Sequence, residues 1–227
     1  MSRVFITGDT HGDIDIKKLT SKCFPEGRNL TKDDYVIICG DFGAVWGDKG
    51  SDRYLQRWYA SKPWTTLFVD GNHENHELLA TYPVEKWHGG WVHRINDSIL
   101  HLMRGQIYNI SGKSFFSMGG AQSHDMEIRK AFVDWWPEEI PTYAEWMTAW
   151  NNLSVRENNV DYVITHEAPA KVVAGLLGEY TDSPVAKTFD AFLDTIGYWH
   201  WYFGHHHIDT SFGKFTCCFN EIHELPL

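Results

Sequence analysis

Val4-Phe5-Ile6-Thr7-Gly8-Asp9-Thr10-His11-Gly12 sets four β-branched or aromatic residues directly before a glycine, an aspartate and a histidine. A short unbroken apolar run of this kind predicts a strand buried on both faces. The pattern recurs downstream. Tyr35 to Cys39 runs into Gly40-Asp41, Thr66 to Val69 into Gly71-Asn72-His73-Glu74, Tyr162 to Thr165 into His166-Glu167, and Trp199 to Phe203 into Gly204-His205-His206-His207. Helical patterns at Ile14 to Lys22 and Ser51 to Ala60 separate the first three runs, and that alternation predicts an α/β fold with a parallel or mixed sheet.

Two later helices are expected. One covers Tyr143 to Val155 with Tyr143, Trp146, Met147, Trp150 and Leu153 on a buried stripe. The other covers about Val185 to Ile196 with Phe189, Phe192, Leu193 and Ile196 inward. From Trp91 to Ser117, strand-like runs broken by Asn96-Asp97, Arg104-Gly105 and Ser111-Gly112 predict an antiparallel meander. No repeat or Pro/Ser-rich linker marks a boundary, so residues 1–227 are read as one domain, with one irregular segment at about 119–141.

Composition narrows the partners. With 43% hydrophobic and 22% charged residues the chain has the balance of a packed protein. A formal net charge of -10 disfavours broad electrostatic binding to nucleic acid, although bound cations reverse that sign locally. Cys23, Cys39, Cys217 and Cys218 have no CxxC spacing and are read as reduced thiols. The opening stretch lacks a leader pattern and no segment approaches the ~20 apolar residues of a membrane span, so a cytoplasmic protein without membrane contact is expected.

Ligands bind in α/β folds beyond the carboxyl ends of strands, where the five motifs fall. Together they offer oxygen donors from Asp9, Asp41 and Asn72 and imidazoles from His11, His166, His205 and His207. That is more than one small cation takes, so two metals are the economical reading. A pair about 3.5 to 4 Å apart acidifies a bridging water and clamps the oxygens of a phosphoryl displacement. Taken singly, DxH or GD fits a turn or cap better than a ligand; their order and strand context favour the metal reading.

The ordered set DxH, GD, GNHE, H and GHxH resembles the signature of the calcineurin-like metallophosphoesterases, and it spans residues 9 to 207. The resemblance implies a four-layer sandwich of two mixed sheets flanked by helices, and hydrolysis of phosphate mono- or diesters by a hydroxide held between the metals. It further implies that Asp9, His11 and His207 hold one metal, that Asn72, His166 and His205 hold the other, and that catalytic Asp41 bridges both. Asn72 is expected to face substrate as well, and His73 to protonate the leaving oxygen or steady the transition state. Manganese is the metal expected first; iron, zinc and nickel suit the same donors. His76, His88, His93, His101, His200 and His223 fit no family position and are read as structural. His206 is left open between solvent and substrate.

The branch acting on phosphoserine and phosphothreonine extends GD into GDxxDRG, whereas this chain continues Gly40-Asp41-Phe42-Gly43-Ala44-Val45-Trp46. The Arg that grips phosphate is absent, which counts against protein phosphatase action and for diesters. A substitute is expected from Met118-Gly119-Gly120-Ala121-Gln122-Ser123-His124-Asp125 and Arg129, a stretch that with Trp135-Trp136-Pro137-Glu138-Glu139 resembles short microbial and phage members of the family. His124 and Arg129 are the candidate phosphate contacts, with Gly119 and Gly120 opening the backbone to an anion. The opposing reading has the glycines form a tight turn and Trp135 and Trp136 pack inward. A phosphorylated small molecule is the expected substrate. The alternatives are a nucleotide or phosphoprotein phosphatase and a non-catalytic metal-binding scaffold.

Overall fold

The computed structural model describes residues 2–178 and 180–227; Met1 and Glu179 lie outside them. The first run forms strand β1 (Val4–Thr7), buried throughout. Side chains alternate across a strand, so Val4 and Ile6 enter one apolar cluster and Phe5 another. The same division runs through β2 (Tyr35–Ile38) and β3 (Thr65–Phe68), where Ile37 and Leu67 face inward and Val36, Ile38 and Phe68 outward. A strand covered on both faces must be apolar along its whole length, which is why these segments read as runs.

β4 (Val84–Trp87), β5 (Gly90–Asn96) and β6 (Ile99–Leu102) extend this sheet, and β13 (His223–Glu224) closes its other edge, in the order β13-β1-β2-β3-β6-β5-β4. The second sheet holds β7 (Gln106–Ile110), β8 (Lys113–Met118), β9 (Tyr162–Thr165), β10 (His200–Phe203), β11 (Thr210–Phe212) and β12 (Phe215–Cys217), ordered β11-β12-β10-β9-β8-β7. Each has a parallel centre and antiparallel edges. Their inner faces meet in one core, where Val4, Ile6, Ile37 and Leu67 oppose Tyr108, Phe115, Tyr162 and Ile164.

Helices complete four layers. α1 (Lys49–Ala60) and α2 (His76–Leu79) lay Leu55, Tyr59 and Leu79 on the first sheet. α3 (Tyr143–Ser154), α4 (Ala170–Leu177) and α5 (Pro184–Leu193) cover the second with Leu153, Val173, Phe189 and Phe192. Polar side chains start four of these helices, with Asn75 capping α2 by accepting the Leu78 N–H. Asp48 caps α1, Ser183 caps α5, and Thr142 with Glu145 forms a capping box on α3. Among the described residues no helix is long and apolar enough to cross a membrane, and the four cysteines are free.

Three expectations are corrected. The meander is two hairpins: β5 and β6 pair, β7 and β8 pair, and the Arg104-Gly105 turn carries the chain between sheets. Only a 3-10 turn, Ile16–Leu19, forms within Ile14 to Lys22. Ile14 is 70% exposed, while the Lys18 ammonium turns inward to donate to the carbonyls of Asp9 and Phe219. On α3, Tyr143 is 79% exposed and Met147 is also exposed; the packed face runs through Trp146, Ala149, Trp150 and Leu153. Period alone could not choose between stripes that both carry aromatics. On α5 Phe189 and Phe192 are buried as read, Ile196 is buried just beyond its end, and Leu193 is partly covered.

Candidate metal centre

β1, β2, β3, β9 and β10 are the parallel strands that end at the five motifs, so both sheets deliver side chains to one rim. The first two loops are zipped together: Thr10 and His11 donate their N–H groups to the Asp41 carbonyl at 3.1 and 2.8 Å, and Gly12 donates to Phe42 at 3.1 Å. Asp9 and Asp41 are buried at 0% and 1% exposure. The His11 Nε2 stands 3.3 Å from Asp41 Oδ2, and His207 Nε2 stands 3.1 Å from Asp9 Oδ2. One donor atom each from Asp9, His11, Asp41 and His207 lies within 4.8 Å of the others.

A second group lies deeper. His166 Nε2 is 3.1 Å from Asn72 Oδ1 and 3.4 Å from Asp41 Oδ1, and the His205 ring packs edge-on against it at 5.0 Å. Asp41 stands between the two groups.

Four of the seven residues, His11, Asp41, His205 and His207, have φ of 42°, 48°, 67° and 52°. L-residues seldom adopt this left-handed backbone, and it persists where surrounding structure imposes it, often at functional sites. Gly40 has φ 95°, and a Cβ there would sit 2.2 Å from His166 Nδ1, so the closeness of the second and fourth loops requires glycine.

The donor set fits divalent cations. His166 Nδ1 donates to the Cys39 carbonyl at 2.7 Å, which leaves the Nε2 lone pair facing Asp41 and Asn72. His11 Nδ1 is likewise engaged by Asp15 at 2.8 Å, leaving Nε2 toward Asp41. Such partners orient ligating imidazoles. The buried His205 Nε2 has no hydrogen-bond partner among the described residues. Charge agrees. Burial alone would raise the Asp41 carboxyl, yet His166 and His11 hold it well below the usual carboxylate range. Burial would lower His166, but Asp41 and Asp9 push it up to about 10. Two buried carboxylates that demand a neighbouring positive charge are what a cation satisfies.

The irregular segment backs this centre more than it borders it. The Asn72 Nδ2 donates to Ser123 Oγ at 3.2 Å, and Ser123 Oγ donates to buried Glu139 at 2.6 Å, so the amide oxygen of Asn72 is turned to His166. Gly120 donates its N–H to the Asp70 carbonyl at 2.8 Å, and a Cβ on it would meet the Glu139 carbonyl at 2.6 Å. Its backbone is therefore spent inside the protein, which corrects the expectation of an anion cradle there. Trp136 is buried and packs edge-on against Trp46, as the inward-packing reading has it, whereas Trp135 is only partly buried. Arg129 does reach the rim: Nη2 lies 3.5 Å from His73 Nε2, while Asp125 and the Asp134 carbonyl hold the guanidinium at 2.6 and 3.0 Å. His124 stacks on His205 with centroids 5.6 Å apart. Of the histidines set aside, His101 donates from Nε2 to Asp70 at 3.0 Å and meets His93 at 2.9 Å, and His76 is buried nearby.

A family model described as calcineurin-like phosphoesterase matches residues 2–209. The chain belongs to that family. The family is one of phosphoesterases, and four of the gathered residues, Asp9, His11, Asp41 and His207, form a group that could hold a metal ion. Similar curated proteins include the lariat debranching enzymes of Arabidopsis thaliana, 32% identical over 104 residues (40% of this chain, 24% of that one), and of Homo sapiens, 26% identical over 189 residues (75% and 33%). The chain thus spans about a quarter to a third of the length of these two relatives. A solved Staphylococcus aureus protein, a candidate 5'-nucleotidase, superposes with a TM-score of 0.53 at 15% identity, over 98% of this chain and 50% of that one, and shows the shared fold.

Ser123, Glu139, Glu167 and Lys18 escaped the sequence reading as supports of the centre, because isolated polar residues carry no periodic signal. Glu167 accepts from His206 Nε2 at 3.1 Å and lies 3.8 Å from His205 Nε2; burial would raise its carboxyl, but His206 and His205 bring it down to about 2. Ser123→Ala is expected to weaken manganese binding about 10- to 100-fold, the usual effect of removing a partner of a ligand. Calorimetric titration of the metal-free protein checks this; unchanged affinity would leave Ser123 a packing role only.

Proposed function

We propose that this phosphoesterase hydrolyses phosphate esters at a two-metal centre in which Asp9, His11 and His207 hold one cation, Asn72, His166 and His205 the other, and Asp41 both. The observation that carries the proposal is the gathering of these donors, with imidazole lone pairs oriented by Cys39 and Asp15, around the buried Asp41 carboxylate. Bound there, the cations supply an acidified water and draw charge from phosphoryl oxygens. The protein's own groups do the rest. Asp41 accepts the His73 N–H at 2.7 Å and so fixes the histidine assigned to the leaving oxygen. Arg129, beside His73, is assigned to a phosphoryl oxygen. A single guanidinium already shared with Asp125 favours the lower charge of a diester over a monoester dianion. Manganese is the metal assigned to activity, with iron, zinc and nickel as alternatives.

The proposal takes residues 1–227 as one domain, because the inner faces of both sheets form one core. It assigns the cytoplasm, where free thiols persist. A second reading, action on a branched nucleic acid, is favoured by relatives named for lariat debranching and opposed by the net charge of -10.

The test is hydrolysis of p-nitrophenyl phosphate, bis-p-nitrophenyl phosphate and a branched oligoribonucleotide by chelated, then manganese-loaded, protein. Metal-restored turnover with the bis ester ahead is expected; folded, metal-loaded protein silent on all three returns the scaffold reading. Arg129→Ala is expected to reduce kcat/KM about 10- to 100-fold without loss of metal, the scale of one charged hydrogen bond. Kinetics with metal analysis decide it, and an unchanged kcat/KM removes Arg129 from the site.

A further inference from the structure

A cavity of about 310 Å³ opens beside the centre, bounded by the segment around His124, by His206 and Glu167, and by the chain leading into α5. His124 joins it to the metal centre through its stack on His205 at 5.6 Å and 26°. His206, the residue between the two histidine ligands, lines the same cavity with its Nε2 on Glu167. The tertiary structure thus turns His206 neither to open solvent nor to the metals.

The walls define what fits. The volume lies at the small end of ligand sites and holds about one ring system with its sugar. Among the described residues Glu167 and Asp182 line it and no lysine or arginine does; Lys187, which pairs with Asp182 at 2.7 Å, is not among the lining residues. A second phosphate would therefore meet the Glu167 carboxylate, while the neighbouring Lys187 ammonium is already engaged by Asp182. His124 and Tyr180 offer planar rings to a flat group, and Met126 adds a polarizable contact. The Gln122 amide carries both donors and an acceptor, as a base edge requires, and a carboxylate accepts from a sugar hydroxyl.

We propose that this cavity is a subsite for one nucleoside substituent of the substrate phosphate, a neutral ring with hydroxyls and no further phosphate. The proposal rests on the phosphoester-hydrolysis reading and narrows it to nucleoside esters whose sugar is not extended on this side.

Two measurements test it separately. Zinc-loaded protein carrying ¹³C-methyl methionine has five methionines, and the Met126 signal is assigned through Met126→Leu. Adenosine is expected to shift that signal saturably, and glucose is not; no shift with adenosine, or an equal shift with glucose, overturns the nucleoside assignment. In the second, manganese-loaded enzyme is given thymidine 5'-(p-nitrophenyl phosphate) and methyl p-nitrophenyl phosphate. The nucleoside ester is expected to have a kcat/KM about 10-fold higher or more, the scale of one stacked base, and Gln122→Leu is expected to lose most of that preference. Equal kcat/KM for the two esters in the unaltered enzyme overturns the subsite and leaves hydrolysis standing. Turnover of neither, with the Met126 shift present, overturns the hydrolysis reading and keeps the nucleoside site.

Discussion

Asp41→Asn is expected to lower turnover of bis-p-nitrophenyl phosphate about 10³-fold, since charge stabilisation by a metal is worth several kcal/mol and each tenfold is about 1.4 kcal/mol. The carboxylate is 1% exposed and sits between the two imidazole groups, 3.3 Å from His11 and 3.4 Å from His166. An amide has the same shape and keeps an oxygen for the His73 N–H, so the loop is expected to hold. What it lacks is the negative charge proposed to hold both cations. Metal content by mass spectrometry is expected to fall from two per chain to one or none, with the circular dichroism spectrum unchanged. Full turnover with two metals retained would remove Asp41 from the bridging position.

The second large effect lies outside the centre. Arg104→Met is expected to destabilise the fold by about 3 to 5 kcal/mol, because it leaves a buried carboxylate without its cation. Arg104 donates from Nε and Nη2 to Asp70 Oδ2 at 2.9 and 2.6 Å, and from Nη2 to the Glu138 carbonyl at 2.8 Å. Burial alone would raise the Asp70 carboxyl, yet Arg104 and His101 hold it well below the carboxylate range. Asp70 opens the loop that carries Asn72 and His73, and Glu138 adjoins the Glu139 that anchors Ser123. One guanidinium therefore ties two of the elements behind the centre. Denaturant titration gives the loss directly. Arg104→Lys keeps the charge without the planar fork and is expected to fall between the two; a loss below about 1 kcal/mol for Arg104→Met would mean that the Asp70 carboxylate is satisfied by His101 alone.

Neither prediction is equally visible in the sequence. Asp41 stands in a motif, glycine before it and an apolar strand before that, and its place at the end of β2 follows from local chemistry. Arg104 reads only as half of a turn signal. Its partners lie 34 residues away in both directions, and nothing local announces them. The same distinction separates the correct stripe on α5 from the corrected one on α3. Phe189 and Phe192 leave one apolar face, whereas Tyr143, Trp146, Met147 and Trp150 leave two overlapping ones, and packing against Phe189 and Phe192 of α5 selects between them.

By itself, then, the sequence determined the βα alternation, the strands buried on both faces and the family signature, because those rest on side-chain period and on glycine beside Asp, Asn or His. Only the tertiary structure decided that the Trp91 to Ser117 region divides between two sheets, that Gly120 serves packing, that Ser123 and Glu139 hold Asn72, and that His206 faces a cavity. Each of these depends on residues distant in the chain meeting across packed layers, a contact that neither period nor composition records.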